Sequence, residues 1–283
     1  MGKWVIALMA AGVALVAASA SAQVVLAPTV FATHGLPSNA ITAFTVTCPP
    51  GFVAVGAGVS SPAPGTTLLS IRPGGLRAYV FRIGNPVNNR AQRVTVAVAC
   101  RKLRLGGPVL RVRPVKLKLV VKPGARRTAS LPCPQDTTPA GAGTDIQPQR
   151  GKAAGGFAGN PLSVRTLTAS LRGFAVTIRN SGHARRSAVL YGNCLTVLRP
   201  SGSESAPLRV QITTYTHPFR PGLQRVTHSC PSGWFSIGAG YALRSPVLRL
   251  EGAAAIDGGA RWWVRNTGDG AATARLQLAC GRI

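Results

Sequence analysis

The 283-residue sequence predicts an all-β protein of three tandem, disulfide-closed β-sandwich repeats behind an N-terminal signal peptide. Three observations carry that expectation. A motif of fixed internal spacing occurs three times, the mark of a repeat architecture. The six cysteines fall at matching places in those copies. After the leader, short stretches of alternating apolar and polar residues, punctuated by Gly and Pro, take the place of helical periodicity.

The leader is MGKWVIALMAAGVALVAASASA. Lys3 supplies its positive end, Trp4 to Ala17 its apolar run, and Ala20-Ser21-Ala22 a small-x-small cleavage site, so residues 1–22 are expected to be removed before Gln23. The apolar run is shorter than the roughly 20 residues a spanning helix needs. Arg or Pro breaks every later apolar run, so no transmembrane span is expected. The reading is a secreted or extracytoplasmic protein, associated with the cell surface through contacts.

The repeat is strict. Cys48, Cys133 and Cys230 are each followed by Pro and, eight residues on, by Gly-Ala-Gly, beginning at Gly56, Gly141 and Gly238. A further stretch then ends in Asn: "LRAYVFRIGN" at Asn85, "LRGFAVTIRN" at Asn180 and "GARWWVRN" at Asn266. A second cysteine follows 15, 14 and 14 residues later, at Cys100, Cys194 and Cys280. No His or carboxylate recurs at a fixed offset, so the motif reads as scaffold and not as an active site. In an exported chain such cysteines form disulfides. Repeat logic selects Cys48–Cys100, Cys133–Cys194 and Cys230–Cys280. In the chain-entropy model each contributes roughly 4 kcal/mol, which matters for units with small cores. Zinc is excluded by the lack of any C-x-x-C pair and by histidines (His34, His183, His217, His228) at unrelated repeat positions.

Each copy reads as strands. "AITAFTVTC" alternates into the first cysteine and "FVAVGAGV" leaves it. "AYVFRIGN" and "RVTVAVAC" are expected to pair as a hairpin, and "RWWVRNTGDGAATARLQLAC" repeats it with turn-forming Asn-Thr-Gly-Asp-Gly. The Gly-Ala-Gly glycines read as positions that permit a bend or bulge. The repeat boundaries fall at 23–106, 107–200 and 201–283, with "LGGPV" and "RPSGSESAP" as linkers and "GKAAGGFAGNP" as a surface excursion in the second copy.

Charge is the main functional signal. The chain carries 33 basic against 6 acidic residues, a formal net charge of +27, and no acid precedes Asp136. Such a field favours polyanions; the other reading is that arginine serves as the solubilising residue. Between Arg90 and Arg127 there is no acid. Within "VKLKLVVK", Val115, Leu117, Leu119 and Val121 alternate with Lys116, Lys118 and Lys122, which on a strand puts the lysines on one face and the aliphatics on the core face. Arg111, Arg113, Lys116, Lys118 and Lys122 are the candidate anion-binding residues; the competing reading is an edge strand guarded by Lys. The expected partner is an anionic polysaccharide, the cell envelope or another polyanion.

Catalysis is not expected. Paired carboxylates are scarce. His217 and His228, with Asp257 and Asp269 in the same copy, offer the best triad fragment, but no G-x-S-x-G elbow accompanies them and they read as loop histidines. No catalytic residue, cofactor or metal is assigned. Aromatics are few, so sequence-specific nucleic-acid recognition is not expected. Trp262 and Trp263 are adjacent, so one belongs to the core and the other is free to meet a sugar ring or lipid interface.

The carriers "CPPGFVAVGAG", "CPSGWFSIGAG", "YVFRIGN", "WWVRN" and the "AC" endings resemble modules of uncharacterised secreted proteins from high-GC bacteria. The resemblance covers the mature chain, and "CPQDTTPAGAG" departs from it by lacking Gly at the fourth position. "VRNTGDGAATARLQL" is similar over a short span to bacterial Ig-like surface repeats. Both resemblances imply a β-rich extracellular module and no known catalytic residue. The expected function is that of a non-enzymatic exported surface or matrix protein binding an anionic polymer. A self-assembling structural or adhesive protein is the alternative, and a secreted hydrolase or inhibitor the third.

Overall fold

In the computed structural model, residues 24–26, 29–63, 65–86, 90–103, 109–146, 161–198 and 208–282 are described. The expected signal peptide, the two linkers apart from Val109, and the second-copy excursion apart from Pro161 lie outside them.

The described residues form strands and no helix. β1 (Val24–Leu26) precedes three sets of six. The first is β2 (Val30–Leu36), β3 (Ala40–Thr47), β4 (Val53–Ser61), β5 (Thr67–Pro73), β6 (Ala78–Asn85) and β7 (Gln92–Leu103). The second is β8 (Val109–Val121), β9 (Arg126–Pro132), β10 (Thr138–Ile146), β11 (Leu162–Ser170), β12 (Gly173–Asn180) and β13 (Arg186–Leu198). The third is β14 (Arg209–Phe219), β15 (Gly222–Ser229), β16 (Phe235–Leu243), β17 (Leu248–Ile256), β18 (Gly259–Asn266) and β19 (Ala272–Arg282).

Within each set the first, sixth and third strands make one antiparallel layer: β2–β7–β4, β8–β13–β10 and β14–β19–β16. The second, fifth and fourth make the other: β3–β6–β5, β9–β12–β11 and β15–β18–β17. Alternation drives the pairing of layers. In the first set Val46, Ile71, Phe81 and Ile83 meet Leu36, Val59, Val94 and Val96 in one buried cluster. The three disulfides are those that repeat logic selects: Cys48–Cys100, Cys133–Cys194 and Cys230–Cys280.

The expected hairpins do not form. β6 pairs with β3 and β5, whereas β7 pairs with β2, β4 and β1. β18 and β19 likewise belong to different layers. The reason lies at the repeated asparagine. Asn85 is buried, and its carboxamide donates to the Leu36, Pro37 and Arg90 carbonyls at 3.0–3.1 Å. Asn180 donates to Val121 and Ala184, and Asn266 to Phe219 and Gly270. The side chain thus ties the end of the fifth strand to the end of the first and to the connection that follows, carrying the chain across to the facing layer. The consecutive strands that pair are β5–β6, β11–β12 and β17–β18.

Nor are the repeats separate Ig-like sandwiches. β10 joins β5 through Asp145 and Ser70, and β16 joins β11 through Thr166–Ala242 and Leu167–Tyr241. Two six-stranded sheets result, β3–β6–β5–β10–β13–β8 and β14–β19–β16–β11–β12–β9. The four-stranded sheet around β7 and the three-stranded sheet β15–β18–β17 complete four hydrogen-bonded sheets. They form a propeller-like ring, because β4 of the first set lies against β17 of the third: a Cβ at Gly58 would stand 1.6 Å from the Ala253 carbonyl oxygen. Each seam is made by the third strand of one repeat and the fourth of another.

The Gly-Ala-Gly motif explains why the repeats fuse. A Cβ on its second glycine would meet a neighbouring backbone oxygen at every seam: Ala253 from Gly58, Ile71 at 2.1 Å from Gly143, Leu167 at 2.8 Å from Gly240. The first glycines converge on the centre of the ring. There Gly141, at φ +61°, sits so close that a Cβ would lie 2.2 Å from the Val55 oxygen and 2.9 Å from the Gly56 Cα. Each of these strands also carries a bulge at this point. Without a Cβ at these positions, each strand lets a neighbour's backbone approach closely. Small apolar residues from all three repeats, among them Val55, Ala99, Ala140, Leu195, Ile237 and Ala279, pack around the centre.

Candidate anion-binding surface

Among the described residues β8 is an edge strand, paired only with β13 and in unbroken register from Val109–Leu198 to Val121–Arg186. A regular strand alternates its side chains between two faces. Leu119 and Val121 point into the core shared by the second and third repeats, with Val115 and Leu117 packed against it. Lys116 and Lys118 therefore share the opposite face, both exposed, about 6.7 Å apart along the strand. Their cross-strand partners are Tyr191 and Val189, and the next residue across from Val189 is Asp145. Asp145 pairs with Arg82 at 3.4 Å.

The five candidate residues do not form one surface. Arg111 and Arg113 have the other parity, on the face shared with Thr196 and Cys194. Lys122 lies just past the strand end. The structure brings together Lys116 and Lys118 and separates them from the two arginines. The edge itself is guarded: Pro114 offers no N–H, and Arg127 donates to the Val120 carbonyl at 2.8 Å.

His217 and His228 lie in strands and not in loops. His228 of β15 stacks on Tyr215, with centroids 3.6 Å apart, and meets Trp262 edge-on at 5.9 Å. His217 of β14 stands edge-on to Phe219 at 4.8 Å. Burial, with the field of His217 added, pulls the His228 imidazole below its ordinary range. These are ring contacts that close the open side of the third repeat, and His34 against Phe44 does the same in the first, at 3.8 Å. Among the described residues no three His, Cys, Asp or Glu side chains come together as a metal site.

Trp262 is fully buried and donates to the Gly240 carbonyl at 2.9 Å. Trp263 is not a free platform. Its indole N–H donates to the Ser60 carbonyl of the first repeat at 2.6 Å, and Arg225 lies over its ring.

Among the five described acids, three pair within the molecule: Asp145 with Arg82, Asp257 with Arg101 and Glu251 with Arg265. Little carboxylate remains to offset the surface cations. One cationic group escaped the sequence reading, namely Arg165 and Arg179 beside Arg126. The signal was present. Arg165 and Glu251 each stand fifteen residues before their repeat's asparagine, and Arg179 and Arg265 each stand one before it.

No protein-family model matches the chain, and no curated protein matches it closely enough to count as a relative. The class that the structure defines is an all-β, disulfide-closed ring of three fused repeats. Three disulfides suit an oxidising, extracytoplasmic environment. Among the described residues no helix is long and apolar enough to cross a membrane.

Proposed function

We propose that the protein is an exported, non-enzymatic surface or matrix component that holds an anionic envelope or extracellular polymer through its basic surface. The observation behind this is Lys116 and Lys118 displayed side by side on a rigid edge strand, in a chain with 33 basic residues and 6 acidic ones. A polymer of phosphate or sulfate groups gains from each cation it meets by releasing its condensed counterions. A ring of disulfide-closed repeats with fused sheets presents those cations without ordering a loop on binding.

The test is affinity of the oxidised protein for duplex DNA and for an anionic polysaccharide across a salt series. Log affinity is expected to fall steeply with log salt. In a Lys116→Gln/Lys118→Gln/Lys122→Gln variant, the DNA slope should flatten by about 0.9 for each lysine that had neutralised a phosphate. Absence of binding at low salt would defeat the proposal. The position of β8 at the end of its sheet supports a second reading, self-assembly by strand addition on the part of the edge that Pro114 and Arg127 leave unguarded. That reading expects oligomers that grow with concentration and persist at high salt.

A further inference from the structure

The fourth strand of each repeat has a bulge, and the residue it sets out of register is Leu69 in β5, Arg165 in β11 and Glu251 in β17. In the third repeat this position completes an ion pair. Glu251 accepts from Arg265 Nε at 2.8 Å, with the carboxylate side chain only 12% exposed. In the first repeat a buried leucine stands there, and the residue before the asparagine is Gly84. The second repeat keeps the arginine, as Arg179, but puts Arg165 where the carboxylate stands.

The conflict is compounded by a third cation. Arg126 lies directly opposite Arg179 in the β9–β12 register; the third repeat sets Leu223 on one side of Arg265 and Arg249 on the other, but there Glu251 supplies a carboxylate. Like charges directly opposed across strands destabilise a sheet. Arg165 is not free to swing away. Its guanidinium donates to the Leu248 and Leu243 carbonyls at 3.0 Å and to the Ser245 carbonyl, all in the neighbouring repeat. Burial weakens its hold on its proton, and Arg126, Arg179 and Arg249 weaken it further, with only Tyr241 opposing.

We propose that Arg126, Arg165 and Arg179 form an oxyanion site on the seam between the second and third repeats, where a phosphate or sulfate group supplies the negative charge that Glu251 supplies in the third repeat. The guanidinium fork suits tetrahedral oxyanions, to which it donates two parallel charge-assisted bonds. Arg165 is held in place by backbone carbonyls, and Arg126 and Arg179 are exposed and able to close on the ligand. The group is either a free ion or the ester of a larger ligand. The site uses none of the β8 lysines, so it stands or falls apart from the polymer-binding surface.

The test is calorimetric titration of the oxidised full chain with inorganic sulfate and, separately, with a sulfated oligosaccharide, chloride being exchanged to hold ionic strength constant. One saturable site is expected. Arg179→Gln should weaken it by about tenfold, the worth of one charge-assisted hydrogen bond. Arg126→Glu, which supplies an internal carboxylate opposite Arg179, should abolish it and raise the melting temperature in sulfate-free buffer. Lys116→Gln/Lys118→Gln should leave it unchanged. Both arginines changed are exposed, so the variants are expected to fold; if Arg126→Glu does not, Arg179→Gln decides. A larger gain for the oligosaccharide than for sulfate identifies a polymer-borne group, and equal affinity a free ion. A response that follows ionic strength without saturating, or saturable binding indifferent to both arginine variants, would overturn the site.

Discussion

Two seams of the ring are joined by backbone bridges and the third is not. β5 meets β10 and β11 meets β16 as neighbours in continuous sheets, whereas no ladder among the described residues links β4 to β17. Side chains take over where the ladder stops. Asp257, in the turn after β17, accepts from the Thr29 N–H at 2.9 and 3.0 Å and from its hydroxyl at 2.7 Å. The same carboxylate stands 3.9 Å from Arg101, which also reaches the Ser236 carbonyl at 3.4 Å. Trp263 donates to Ser60 across the gap. The contrast shows how a ring of repeats closes. Consecutive repeats align their edges through a short connection, but the closing seam joins residues 228 apart in sequence. Contacts so distant in sequence carry the larger loop-closure entropy. A few strong side-chain bonds then hold what short backbone bridges, of one and two residue pairs, hold at the other seams.

The largest expected effect is at the seam glycines. Gly58→Ala would drive a Cβ to 1.6 Å from the Ala253 oxygen, against 2.8 Å from the Leu167 oxygen for Gly240→Ala. Overpacking of this kind costs about 3 kcal/mol or more where nothing yields, and less where the neighbour shifts. Urea unfolding should therefore show a much larger loss for Gly58→Ala, and hydrogen exchange should place the opening in β4 and β17. Equal losses at the two positions would mean that the closing seam has no special status.

Next comes the latch. Arg101 is fully buried, and desolvation draws its guanidinium down to about 10 against the opposing pull of Asp257, so it stays charged at neutral pH. Asp257→Ala leaves that charge without its carboxylate and should cost about 2–3 kcal/mol. Arg101→Met in the same background should recover much of the loss, because an apolar replacement carries no unpaired charge. A double variant no more stable than Asp257→Ala alone would show that Asp257 acts through Thr29 and not through Arg101.

The smallest effect is pH-dependent and confined to the third repeat. The folded state holds His228 below its ordinary value, first by burial and then through His217, so the unfolded chain binds protons more readily. Its contribution is complete above the unfolded value of about 6.5 and is lost as pH falls below it toward the depressed folded value. The melting temperature should drop on acidification from neutrality toward pH of about 5, and His228→Phe should flatten that part of the profile. A profile unchanged by the substitution would remove His228 from the account.

The β class, the threefold repeat and the three disulfides were all legible in the amino-acid order, because each of these is written as recurring local spacing. Alternation sets which residues face inward on a strand, and six cysteines at matching offsets leave repeat logic one pairing to prefer. Legibility ended where partner choice began. The stretch around Asn85 reads as a hairpin turn from local composition, yet its carboxamide carries the chain to the facing layer by bonding carbonyls at Leu36 and Pro37, more than forty residues away. The Gly-Ala-Gly motif was visible as a bend, but its purpose depends on which backbone lies opposite. The basic stretch was visible too, but its parity divides Lys116 and Lys118 from Arg111 and Arg113 once β8 has a fixed register. It took the folded chain to establish that the repeats share their sheets, that the first closes on the third, and that Arg165 occupies the place of a carboxylate. Pairing of strand edges is set by long-range packing, which no local pattern encodes.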